Sequence, residues 1–279
     1  TMRAKYLGLD LPSPIIVSSS PYTSNVKSVE QCAASGAGAV VLKSIFEEQI
    51  LHHAAALDAV SDSAYGDAEV YLQRYLGEDY KAGFLRLVQE ARSKTDLPVI
   101  ASINCVADKG DWIEYATAMA DAGASALELN IFIQPTDIHA QARELELNYA
   151  EIVGRVAGAV KIPVSVKLPM RLTNVFALSS ALLGYGARGV VFFNRFFEPD
   201  VDVERMTFVE SSPYSEPTEL RNVLRMVAIC SAVFATGKSL AVAMLTPLSV
   251  ACAESTTATR SSKGVVQLSS LSGFGCAAA

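Results

Sequence analysis

Residues 36–43 read Gly36-Ala37-Gly38-Ala39-Val40-Val41-Leu42-Lys43, and the same phrasing returns twice further along the chain. Ala122-Gly123-Ala124-Ser125 leads into Ala126-Leu127-Glu128-Leu129-Asn130, and Gly184-Tyr185-Gly186-Ala187 leads into a run closing on Phe192-Phe193-Asn194. In each, a glycine suits the left-handed residue that ends a helix, and a short apolar strand follows at once. A second lead-in alternates with the first: Thr95-Asp96-Leu97-Pro98 before a strand ending at Asn104, and Val160-Lys161-Ile162-Pro163 before one ending at Lys167. Proline is tolerated at the first residue of a strand, where a missing N–H costs least.

Taken in order, these signals predict strands near 14–18, 39–43, 98–103, 125–131, 163–168 and 189–194, with two more at 239–243 and 264–268. Apolar residues at three- and four-residue spacing predict helices over 28–34, 80–93, 111–122, 144–159, 175–183 and 218–232. Regular strand–helix alternation fits either an open doubly wound sheet or a closed barrel. Five strands end in a polar residue (Lys43, Asn104, Asn130, Lys167 and Asn194), which implies parallel strands sharing one site at their carboxyl ends. The expected fold is therefore α/β, a (β/α)₈ TIM barrel forming a single domain over 1–279. The stretch 44–77 is longer than one helix needs and is expected to be a lid-like insertion after strand two, or a helical hairpin that covers the barrel mouth or forms a subunit contact.

The 279 residues match the roughly 250 of one such barrel. A hydrophobic content of 51% with 19% charged residues suits strands buried on both faces. The net charge of −6, with Lys and Arg scattered, argues against a nucleic-acid partner. Lys238 and Pro247 interrupt the weakly charged region 226–253, so neither piece reaches the roughly 20 apolar residues of a membrane helix. Five widely spaced cysteines without a CxxC pair, and an N-terminus without a signal-peptide pattern, lead to the expectation of a reduced, cytoplasmic protein with no metal site. Beyond Phe234 the chain turns poor in charge and rich in Ala, Ser and Thr.

Singly, each polar strand end has an ordinary explanation. A strand-end lysine commonly pairs with a carboxylate, Asn130 could cap a turn, and Asn194 could start a helix. Together with Tyr6-Leu7-Gly8-Leu9, the stretch from Ser13-Pro14 to Ser18-Ser19-Ser20-Pro21, Val166-Lys167-Leu168-Pro169 and Val266-Gln267-Leu268-Ser269-Ser270, they resemble the dihydroorotate dehydrogenase family, in particular its divergent dehydrogenase-like branch. The resemblance covers most of residues 5–225. It implies an FMN-dependent oxidoreductase and a homodimer, with hydride transfer through the flavin N5 to or from a small cyclic or conjugated substrate. It places Ser18, Ser19, Ser20, Lys43, Ser44, Asn104, Asn130, Lys167, Asn194, Ser269 and Ser270 around the FMN. Lys167 would be the cation beside the ring's N1 and C2 oxygen, where reduction builds negative charge.

Three departures separate the chain from enzymes that oxidise dihydroorotate. The family's Cys or Ser base falls at Ile133, which cannot accept a proton. Thr136, Asp137 and His139 are the nearby replacements. The asparagine-rich loop that grips orotate has no counterpart, and Asp62 stands in that segment. After the seventh strand, Met244-Leu245-Thr246-Pro247 offers no glycine to a phosphate. Standard dihydroorotate chemistry is therefore not expected. Two other functions fit the same residues: a barrel that binds FMN or a sugar phosphate without catalysis, and an aldolase or isomerase using Lys43 or Lys167 as a Schiff-base lysine.

Overall fold

A computed structural model describes residues 3–46, 81–105, 112–131, 133, 138–194, 200–209, 217–234, 241–246 and 264–268. The thirteen strands among them are β1 (Ala4–Tyr6), β2 (Leu9–Leu11), β3 (Ile15–Val17), β4 (Ala39–Val41), β5 (Ile45–Phe46), β6 (Val99–Cys105), β7 (Ala126–Ile131), β8 (Val164–Pro169), β9 (Gly189–Asn194), β10 (Asp200–Asp202), β11 (Thr207–Val209), β12 (Ala241–Thr246) and β13 (Gly264–Leu268). Helices α1 (Val26–Ala34), α2 (81–94), α3 (Trp112–Asp121), α4 (Ala142–Ala159), α5 (Val175–Gly184) and α6 (Leu220–Phe234) alternate with the long strands.

The architecture is an α/β fold whose parallel sheet curls with helices on its outer face. β3 pairs with β4, β4 with β6, β6 with β7, β7 with β8, and β8 with β9, all in parallel. β12 lies beside β9 and β13, and β13 pairs with β3. The two-residue β5 extends β6 at its carboxyl end. The expected strands and helices are all present, with shifts of a few residues. The strand expected at 239–243 lies at Ala241–Thr246. Ile45 is buried and β5 belongs to the sheet, so the start of the expected 44–77 insertion is part of the fold, while 47–77 lies outside the described residues.

The repeated glycine phrase has one structural meaning. Gly36, Gly123 and Gly186 take φ of 84°, 97° and 110° immediately after α1, α3 and α5. Each closes the same pair of bonds: Gly36 N–H to Ala33 O and Ala37 N–H to Cys32 O, Gly123 to Ala120 and Ala124 to Met119, Gly186 to Leu183 and Ala187 to Leu182. These are three Schellman closures, and in each the alanine that follows the glycine is buried with the helix residue it bonds. The next residue but one then docks the new strand on its neighbour, Gly38 N–H on Ile15 O, Ser125 on Val99 O and Arg188 on Val164 O. At α1 and α5 the other end is capped by Asn25 and Asn174, whose side chains accept from Ser28 and Ala177 N–H.

Strand period two separates two cores. Val40, Leu42, Val99, Ala101, Leu127, Leu129, Val164, Val166, Val190 and Phe192 face the helices. Ile16, Ala39, Val41, Ile100, Ala126 and Val191 face inward and pack under the β1–β2 hairpin, whose Tyr6, Leu7 and Leu11 are buried against them. The hairpin thus covers the interior at the end opposite the polar strand termini.

Gly123 has nothing within 4 Å of an added Cβ, whereas Gly158 sits exposed inside α4 without a positive φ. Gly123→Ala is expected to destabilise by about 1–2 kcal/mol through backbone strain alone, and Gly158→Ala to stabilise by about 0.5–1 kcal/mol. Urea denaturation of both variants checks the opposite signs.

Candidate active site

Above the inward apolar floor the strands change character. Ser102, Glu128 and Ser165 are in register on β6, β7 and β8, and all three are fully buried. Two residues later, and so on the same face, come Asn104, Asn130 and Lys167, also in register. The sheet interior therefore carries two stacked polar layers that open toward the carboxyl ends of the strands.

The upper layer is tied together by amides. Asn130 Nδ2 donates to Asn104 Oδ1, and Asn194 Nδ2 donates to Asn130 Oδ1 at 2.7 Å. Asn194 reaches over β8 to do this, at the point where the β8–β9 register shifts between Leu168 and Pro169. Asn130 is thereby fixed from both sides. The two ends of the chain are Asn104 Nδ2, a donor, and Asn194 Oδ1, an acceptor, on half-buried residues.

Lys167 lies beside Asn130 on the neighbouring strand and is 6% exposed. Its Nζ stands 4.0 Å from Glu128 Oε1 in the layer below. Burial pulls the Lys167 ammonium below the usual lysine range, and the Glu128 carboxylate works against that pull. Tyr6, rising from the β1–β2 hairpin, has its phenol pushed up by burial and then by the Glu128 charge. The ordinary expectation for a strand-end lysine, pairing with a carboxylate, is thus met at Lys167, with a partner inside the sheet.

Hydroxyls line the next sector. Ser19 and Ser44 stand 3.0 Å apart, Ser44 N–H donates to Ser19 Oγ at 2.9 Å, and Ser44 Oγ lies 2.8 Å from Ser102 Oγ. Ser18 is buried at the end of β3, and Ser20 opens the short 3₁₀ turn Pro21–Ser24, holding Thr23 through its carbonyl. The backbone N–H of Lys43 bonds Thr23 O, so its half-buried side chain leaves from the same rim. The structure brings Ser19, Ser44, Asn104, Asn130, Lys167 and Asn194 to one end of the sheet.

Ser269, Ser270, Thr136 and Asp137 lie outside the described residues, and His139 is exposed. Ile133 packs against the helix-side core while its N–H donates to Tyr149 Oη on α4 at 3.2 Å. The side chain at the base position is thus held in the helix layer. Cys32 and Cys230 are buried, and burial pushes their thiols up to about 11 and about 12, which leaves them protonated and inert. Among the described residues there is no metal-ligating group of three and no helix long and apolar enough to cross a membrane.

Ser102, Ser165 and Tyr6 were not marked by the strand-end pattern. A signal for the serines exists in the triplets Ser102-Ile103-Asn104, Glu128-Leu129-Asn130 and Ser165-Val166-Lys167, where a polar residue stands two before each terminal one.

Chemically, the site offers a hydrogen-bonding edge with both a donor and an acceptor, a buried cation beside it, and a row of small hydroxyls. That set suits a planar polar ring with a partly anionic edge. Comparison with known proteins agrees at the level of family. A candidate dihydroorotate dehydrogenase A (fumarate) of Aeropyrum pernix is 35% identical over 123 residues, covering 42% of this chain and 38% of its own. The catalytic subunit of dihydroorotate dehydrogenase B (NAD(+)) from Methanocella arvoryzae is 29% identical over 204 residues, covering 70% and 62%. The chain is a divergent relative of the dihydroorotate dehydrogenase family. It spans less than two thirds of the length of these relatives, 28% identity over 199 residues of the Methanosarcina mazei catalytic subunit again covering 62% of that protein. No family model matches the sequence. Among solved structures, phosphonopyruvate hydrolase superposes with a TM-score of 0.50 at 13% identity, over 91% of this chain and 74% of that one, a likeness of fold alone.

Removing Lys167 leaves a carboxylate buried without its cation. Lys167→Met is expected to cost about 3–5 kcal/mol at neutral pH. Denaturation midpoints of wild type and variant at neutral pH check the size.

Proposed function

We propose that the chain binds FMN at the carboxyl ends of its strands and acts as a dihydroorotate dehydrogenase-like oxidoreductase on a small cyclic or conjugated substrate, outside standard dihydroorotate chemistry. The observation that carries the reading is the amide chain Asn104–Asn130–Asn194 with Lys167 in register beside it. The donor set fits an isoalloxazine edge, since its free ends supply one donor and one acceptor, and its only buried cation among the described residues lies on the same layer. FMN bound there would supply the hydride-transferring atom, N5.

The chain's own residues then divide the work. Asn104 and Asn194 would hold the ring's polar edge, with Asn130 keeping both in place. Lys167 would face the edge that gains negative charge, in a dry setting where a fixed cation acts strongly. Ser19 and Ser44 present small side chains that let backbone approach the ring, and Lys43 would reach its polar rim. Ser269 and Ser270 would donate to the phosphate. The proton donor is left to Thr136 or Asp137, because Ile133 is aliphatic and the exposed His139 stands off the buried layer.

The fold that would present these groups is a complete (β/α)₈ barrel forming one domain over 1–279, with a lid-like insertion after β4. Supporting closure, β13 pairs with both β12 and β3.

The purified protein is expected to be yellow and to take up FMN. Asn130→Leu removes both bonds of the amide chain, each worth about 1 kcal/mol, and should weaken FMN binding at least about tenfold. Quenching of FMN fluorescence on titration with protein measures it. A colourless protein that takes up no FMN removes the reading.

The aliphatic Ile133, packed on the core with its N–H bonded to Tyr149 Oη, favours a second reading in which the same barrel binds FMN without turning it over. Photoreduced protein that no quinone, fumarate, NAD⁺ or oxygen reoxidises would favour that reading over the first.

A further inference from the structure

The family pattern accounts for the strand-end residues but assigns nothing to Glu128. This carboxylate is fully buried in the layer beneath the site, and Lys167 Nζ stands 4.0 Å from its Oε1. A glutamate and a lysine enclosed this way stand or fall together, because each lowers the desolvation cost of the other and neither reaches bulk water. The remaining side chains of the two layers, Ser102, Asn104, Asn130 and Ser165, carry no charge. From the floor, the packed element contributes Tyr6 as its one titratable group near the pair, and Lys43 is the other cation at the rim.

We propose that Glu128 is a positioning residue: its carboxylate, one layer below the site, keeps the Lys167 ammonium charged inside the sheet, so that an anionic ring edge bound above meets a cation and not a neutral amine. The pair is a preset charge, held ready before any ligand arrives. Burial lowers the proton affinity of Lys167, and the Glu128 carboxylate 4.0 Å away opposes that pull. The proposal rests on the flavin reading only in naming the anion; the charge coupling itself belongs to the ligand-free chain.

The geometry gives the coupling a direction. Register places Glu128 beside Ser165 and Lys167 beside Asn130, so the two side chains meet on a diagonal between adjacent strands. Shortening Glu128 by one methylene withdraws the charge from Lys167 without deleting it, whereas replacing it by glutamine deletes the charge and keeps the shape. Those two substitutions therefore separate charge from packing.

The test uses the full chain without ligand, grown with ε-¹³C lysine, the Lys167 signal being assigned by its loss in Lys167→Met. Its titration by NMR is expected to move at least about tenfold toward lower proton affinity in Glu128→Gln, and by less in Glu128→Asp. An unchanged Lys167 titration in Glu128→Gln overturns the proposal. Thermal midpoints supply a second reading if Glu128→Gln folds poorly: the double variant Glu128→Gln with Lys167→Met should unfold at a higher temperature than Glu128→Gln alone, and a lower or equal midpoint counts against the pair. FMN titrations against pH then separate the two readings. In the wild type affinity should be flat from pH 6 to 8 as roughly expected for a lysine held charged, while in Glu128→Gln it should fall with rising pH. A Lys167 titration that responds to Glu128 in a protein that takes up no FMN leaves this inference standing and removes the flavin one; FMN uptake with an unresponsive Lys167 does the reverse.

Discussion

A charge pair sits where a parallel sheet of this kind would ordinarily bury valine and isoleucine, and much of the surrounding structure answers to it. Burying either Glu128 or Lys167 alone would cost several kcal/mol, and their approach to 4.0 Å offsets part of that cost. Layering makes the approach possible. The apolar floor of Ile16, Val41, Ile100 and Val191 lies below, Ser102 and Ser165 flank Glu128 in register, and the amides stand above. One inward position per strand sets each layer, so the arrangement needs the strands parallel and in register.

Register in turn depends on how the strands begin. The three Schellman closures after α1, α3 and α5 set where the chain leaves a helix, and the docking bond two residues later sets which residue of the new strand faces inward. A slip by one residue at Gly123 would turn Glu128 and Asn130 toward the helices and Leu127 and Leu129 into the interior. The glycines are thus far from the site in space and decisive for its composition.

This explains what could be read from the residues in advance. The helix stops, the buried strands and their polar ends are local signals, each carried by a handful of neighbouring residues, and they appear where Gly36, Pro98, Gly123, Pro163 and Gly186 place them. The N-terminal β1–β2 and the β10–β11 hairpins were less legible. Asp200-Val201-Asp202 alternates as a strand should, yet Val201 and Phe208 are exposed, so no core requirement marks the pairing. β5 is two residues long, too short for any period. At the site, the polar ends of single strands were visible, but the amide chain was not. It requires Asn194 to reach over β8, which is a property of strand order and of a register shift, and neither is written in a local pattern.

The β1–β2 hairpin gives the interior a floor as well as walls. With Tyr6, Leu7 and Leu11 packed under the inward residues, the described part of the interior is closed by apolar side chains on that side. The buried pair therefore has an orientation: the Glu128 layer lies next to the floor and the Lys167 layer nearer the strand ends, so that anything approaching from the strand ends meets the ammonium before the carboxylate.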